Sequence, residues 1–135
     1  MNERIKDKIK EIEQYLDELV GITPDSLEDY IKDFKTKAAC ERYAERIIEA
    51  VIDLAFLLIK EKRLPLPEND LQAFDILSKN KIISIELAVR LQDAKRIRNI
   101  LAHEYGEVDD EILFYAIKEE LEKDARTFIN SVKKI

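Results

Sequence analysis

The chain has 135 residues, 46% of them hydrophobic and 39% charged, with two glycines and three prolines. That length and apolar share suit one core, and the richness in Leu, Ile, Ala, Glu and Lys favours helices over sheet or disorder, so a single all-α domain over residues 1–135 is expected. A net charge of −6 excludes a broad basic surface for nucleic acid and leaves room for a local basic patch, while one cysteine and one histidine supply neither a disulfide framework nor the usual zinc ligands.

No metal and no cofactor is therefore expected. The opening residues, MNERIKDKIKEIEQ, alternate charge and lack the apolar run of a signal peptide. The longest apolar stretch, Ala50 to Ile59, is short for a membrane span and carries Asp53. A soluble cytoplasmic protein that does not enter the membrane is the expectation.

In chain order, Ile5, Ile9, Ile12, Leu16 and Leu19 recur at steps of four and three, which predicts a helix over residues 3–20 ended by Gly21. Pro24 marks a turn, and Asp25 or Ser26 can cap a short helix after it. From Thr36 to Arg63 nothing interrupts a helix whose apolar face (Ala39, Tyr43, Ile47, Ala50, Leu54, Leu57, Leu58) is wide enough for packing on more than one side. Cys40 lies within it and reads as a small core residue. Glu41, Arg42, Glu45 and Glu49 have the spacing of ion pairs along that helix, and a solvated face is the expectation for them. Tyr43 and Tyr115 read as core or interface aromatics.

The prolines of LPLPEND stop the helix, and Asn69 or Asp70 can cap a shorter one ending near Asn80. Ser84 begins a long helix with Leu87, Leu91, Ala94, Ile97 and Leu101 as its stripe. Gly106 is the expected residue just past its end, and Asp109 the cap of a final helix with Leu113, Ile117, Leu121, Ala125, Phe128 and Val132 facing inward. The sum is an antiparallel up-down bundle of four long helices with one or two short ones.

Chemistry concentrates in RNILAHEY, Arg98 to Tyr105. At about 100° per residue Arg98 and Tyr105 share a helix face while His103 is turned about 140° from Arg98; an end at Gly106 would let the three converge. Lys95, Arg96 and Arg98 form a small basic anchor for a phosphate. Histidine can move protons near neutral pH, arginine can stabilise charge on a phosphoryl group, and a tyrosine hydroxyl can orient an oxygen, a set suited to metal-independent RNA cleavage. That reaction uses an acid and a base, and with one histidine per chain a symmetric homodimer would supply the second. The residues alone leave open a plainer reading, in which His103 caps the helix C-terminus against the macrodipole.

RNILAHEY matches the R-x4-H-x-Y signature of the HEPN superfamily. The whole chain resembles the HepT-like branch, through the helix AACERYAERIIEAVIDLA, the proline-containing loop after it, the LQAFDILSKNKII segment and Asn99 directly after Arg98. The resemblance implies a dimerising helical bundle that acts as an endoribonuclease toxin, neutralised by a cognate minimal nucleotidyltransferase (MNT) antitoxin. It makes Arg98 and His103 the catalytic pair, Asn99 a supporting residue and Tyr105 the residue to which the partner transfers AMP; Lys95 and Arg96 are candidate RNA phosphate contacts by their charge alone. The alternatives are a non-catalytic module that binds a nucleotide or the partner enzyme, and a structural dimerisation domain.

Overall fold

The computed structural model describes residues 1–101 and 109–135 in full, together with the helical backbone of residues 102 and 103. The helices are α1 (Glu3–Ile22), α2 (Leu27–Lys32), α3 (Phe34–Glu61), α4 (Asp70–Lys79), α5 (Ile85–His103), α6 (Asp110–Tyr115) and α7 (Glu122–Lys133), and a π-helical turn (Ala116–Leu121) joins the last two into one continuous rod. Four long helices with two short ones are thus present, with no strand among the described residues.

Polar side chains set most of the helix starts. Asn2, Ser26, Asn69 and Asp109 each accept a hydrogen bond from a backbone N–H of the first turn, and the Oγ of Ser84 accepts from Leu87 N–H at 3.1 Å. Asp33 caps α3 and starts it at Phe34, two residues before the expected Thr36. Gly21 does not end α1: the helix continues to Ile22 and stops at Thr23, which the following Pro24 holds in extended backbone. The Thr23 hydroxyl donates to the Leu19 carbonyl at 2.6 Å and covers the exposed helix end.

Both α3 and α4 end in a Schellman turn built without glycine. Arg63 (φ 54°) and Lys81 (φ 60°) take the left-handed conformation. The N–H of the residue after each then reaches back to Ile59 or Leu77, at 2.9 and 3.0 Å. α3 therefore stops at Glu61, before the expected Arg63 and before the prolines.

The pairs Asn2–Glu61 and Lys8–Asp53 run α1 antiparallel to α3, Glu13–Lys133 and Asp17–Arg126 do the same for α1 and α7, and Arg90–Asp124 sets α5 against α7. One core runs through all four long helices, with Ile12, Leu16, Ile47, Leu54, Phe74 and Phe128 fully enclosed. The whole α1 stripe is buried, as is the whole stripe of the last rod. That second stripe steps 113, 117, 121, 125; four-residue steps drift about 40° each on an α-helix, and the wider turn returns them to one face.

Cys40 is enclosed beside Thr23, and burial pushes its thiol above the ordinary value, as befits a core residue. Tyr30 is enclosed as well, against Phe114. Burial, with Glu41 adding to it, holds its hydroxyl in the protonated form. Tyr43 is half-buried, edge-on to Tyr15, and donates to Glu18 at 3.3 Å; Tyr115 is largely exposed.

Candidate functional site

α5 carries Arg98 on the side that packs against α3, in line with Leu91, Ala94 and Leu101. The side chain is half-buried there. Its Nη2 donates to Oε1 of Glu49 on α3 at 3.3 Å, and its Nη1 donates to Oδ1 of Asn99 at 3.3 Å. Nε is buried and has no hydrogen-bond partner among the described residues. A guanidinium has five N–H groups; with two engaged, others remain to receive an oxyanion, and the half-dry setting strengthens such a bond.

Of the other basic residues, Lys95 is half-buried, about 60° around the helix from Arg98, and forms no ion pair among the described residues. Arg96 is exposed, about 160° from Arg98, and its guanidinium is held by Asp93 one turn earlier. The backbone of His103 closes α5. Its side chain, with Tyr105 and the expected helix-ending Gly106, lies outside the described residues.

The helix ends flanking residues 104–108 are both tied to α3. Arg98 meets Glu49 before the segment, and Asp110 meets Lys37 at 3.0 Å after it. Beside that second tie sits Glu41, whose carboxyl burial pushes above the ordinary value while Lys37 pulls it back. Among the described residues no three His, Cys, Asp or Glu side chains gather as a metal-binding group.

A groove opens between α5 and the last rod. It is floored by Ile48 and Val51 of α3 and walled by Ala94, Ile97, Ile117 and Leu121. Arg90 and Asp124, paired at 2.8 Å with the aspartate almost fully enclosed, lie along it. The two helices beside it also expose apolar side chains, Val89 (50%) and Ile100 (36%) on α5 and Ile112 (64%) on α6.

Glu49 is the residue that sequence spacing misses. Arg42 and Glu45 do pair along α3 at 3.2 Å, as expected for that row, whereas Glu49 crosses to another helix. A signal was present: Glu49 interrupts the run Ile47 to Ile52, in which every other residue is buried.

Residues 5–132 match the Ribonuclease HepT-like family. The chain is 31% identical over 113 residues to the tRNA nuclease HepT of Aphanizomenon flos-aquae, covering 84% of this chain and 77% of that one. It is 27% identical over 133 residues to the mRNA nuclease HepT of Shewanella oneidensis, covering 98% of each. Among solved structures it superposes, at a TM-score of 0.92 and 26% identity over the whole of both chains, on a tri-AMPylated Shewanella oneidensis HEPN toxin in complex with its MNT antitoxin.

Proposed function

Because the chain belongs to the HepT-like ribonuclease family, we propose that it is a cytoplasmic endoribonuclease toxin, active as a homodimer and restrained by a minimal nucleotidyltransferase. The match along residues 5–132 carries this reading. In it Arg98 and His103 do the chemistry. A histidine takes the proton of an RNA 2′-hydroxyl, whose oxygen attacks the adjacent phosphorus; the 5′-oxygen leaves and is protonated by the second histidine. Products end in a 2′,3′-cyclic phosphate and a 5′-hydroxyl. Arg98 stabilises the charge that builds on the phosphoryl oxygens, with Asn99 supporting its guanidinium and Lys95 drawing in a neighbouring phosphate, while Arg96, turned away and paired with Asp93, contributes only longer-range attraction.

The homodimer is supported by the groove and the exposed apolar residues on α5, a surface that a second copy would cover, and by the need for two proton-transferring groups. No helix among the described residues is long and apolar enough to cross a membrane.

Control by the partner works through Tyr105. Its hydroxyl attacks the α-phosphorus of ATP, pyrophosphate leaves, and the AMP that stays adds negative charge and bulk where an RNA phosphate would bind. A tri-AMPylated relative of the same fold supports that route. With partner and ATP, intact-mass spectrometry should find one or more AMP units on Tyr105, and Tyr105→Phe should escape both mass gain and inhibition.

The deciding experiment is induced expression of wild type beside His103→Ala, with growth and RNA integrity followed together. Wild type should stop growth and fragment RNA, and the variant should do neither; equal effects would sink the catalytic reading. Purified protein should cut RNA at full rate in excess EDTA, because the chemistry is assigned to side chains. A strict magnesium requirement would reassign it.

A further inference from the structure

We propose that Glu49 of α3 is a positioning residue that aims the Arg98 guanidinium at the RNA phosphate. This rests on the reading of Arg98 given above. The carboxylate stands in the middle of five buried neighbours, Ile47, Ile48, Ala50, Val51 and Ile52, at a position where an apolar residue would extend the core. It keeps a 40% exposed side chain there and places Oε1 3.3 Å from Nη2 of Arg98. Among the described residues this is the one ion pair that joins α3 to α5. The other α3 partners lie elsewhere: Glu45 pairs with Arg42, Asp53 with Lys8 and Lys37 with Asp110.

The grip has a definite geometry. Glu49 holds one terminal nitrogen of the guanidinium from α3 and Asn99 holds the other from α5, so two points fix a planar group that would otherwise sample many rotamers. Held there, the buried Nε and the N–H groups without a partner among the described residues face a constant direction. Such a half-exposed pair adds little to folding stability, whereas misplacing a charge-stabilising group by an ångström costs about a hundredfold in rate. Glu49 also carries the wrong charge for touching an RNA phosphate, which separates it from a binding residue.

The test is single-turnover cleavage of bulk cellular RNA by wild type, Glu49→Ala, Glu49→Gln, Arg98→Ala and the Glu49→Ala/Arg98→Ala double variant. The readouts are the rate constant at saturating enzyme, the enzyme concentration giving half of it, and the melting temperature. Glu49→Ala should lower the saturated rate about ten- to hundredfold, with half-saturation unchanged or at lower enzyme. Glu49→Gln, which keeps an acceptor oxygen, should recover most of the rate, and the double variant should be no slower than Arg98→Ala alone. Melting should stay within about 2 °C of wild type throughout. A wild-type rate in Glu49→Ala beside an inactive Arg98→Ala overturns the positioning role, as does a further loss in the double variant. Full activity in Arg98→Ala overturns instead the reading of Arg98 on which it rests.

Discussion

The seam between α1 and α3 and the groove between α5 and the last rod use the same aliphatic residues and reach different ends. Along the first, Ile5, Ile9, Ile12, Leu16 and Leu19 are at most 4% exposed, and the polar contacts, such as Lys8 with Asp53, keep to the outer edge. Along the second, α5 buries Leu87, Ala88 and Leu91, then leaves Ala94, Ile97 and Leu101 half-covered and Val89 half in solvent. An ion pair, Arg90 with Asp124, runs through that apolar surface, and Arg98 points back from α5 to a carboxylate. The first region is finished within one chain. Among the described residues the second leaves apolar area and polar groups over, the condition that the proposed second copy and charged substrate would need.

Substitutions should separate the two regions. The largest effect is expected from His103→Ala and Arg98→Ala, each lowering the RNA cleavage rate about ten- to ten-thousandfold with far-ultraviolet circular dichroism unchanged. Loss of helical signal in either would return the motif to a capping role. Ile12→Ala, in the finished seam, should do the reverse. It should cost about 2–5 kcal/mol by chemical denaturation, through lost burial and a residual cavity, while the cleavage rate per folded molecule stays at wild type. A cost below about 1 kcal/mol would mean that the seam relaxes around the gap.

Val89→Asp sharpens the comparison from the other side. Placed on exposed surface, the charge should leave the monomer folded, yet light scattering should show one chain per particle and cleavage should fall about tenfold or more as the shared site comes apart. A monomeric variant with full activity would show that one chain holds a complete site. The smallest effect is expected from Lys81→Gly, away from both regions, where relieving the left-handed backbone should stabilise the fold by about 1 kcal/mol with activity unchanged. Its measure is the denaturant midpoint.

The sequence by itself determined what repeats or caps locally. Periodicity located the α1 stripe to the residue, because a helix buries the face that its spacing defines. Ser84, Asn69 and Asp109 stand where a helix must begin, since their side chains satisfy N–H groups a few residues away. The run Arg98 to Tyr105 stood out through its match to a family signature along a whole helical chain, since its residues alone also suit a helix cap. Gly21 misled because its freedom to end a helix is a capacity, and it was Pro24 that forced the end. The π-helical turn went unread: a regular final helix was expected, although its four-residue steps from Leu113 to Ala125 drift about 40° each on an α-helix.

Only the tertiary structure decided which residues far apart in the chain meet. Glu49 and Glu45 look alike in sequence, on one helix and near the same flank, yet one pairs within its own helix and the other reaches Arg98 across 49 positions. The same holds for Lys37 with Asp110, and for Arg90 with Asp124, which binds two helices through a nearly enclosed carboxylate. The reason is that spacing encodes the direction in which a side chain leaves its own helix, while the identity of what it meets depends on how the helices cross, and that is fixed by the packing of the whole core.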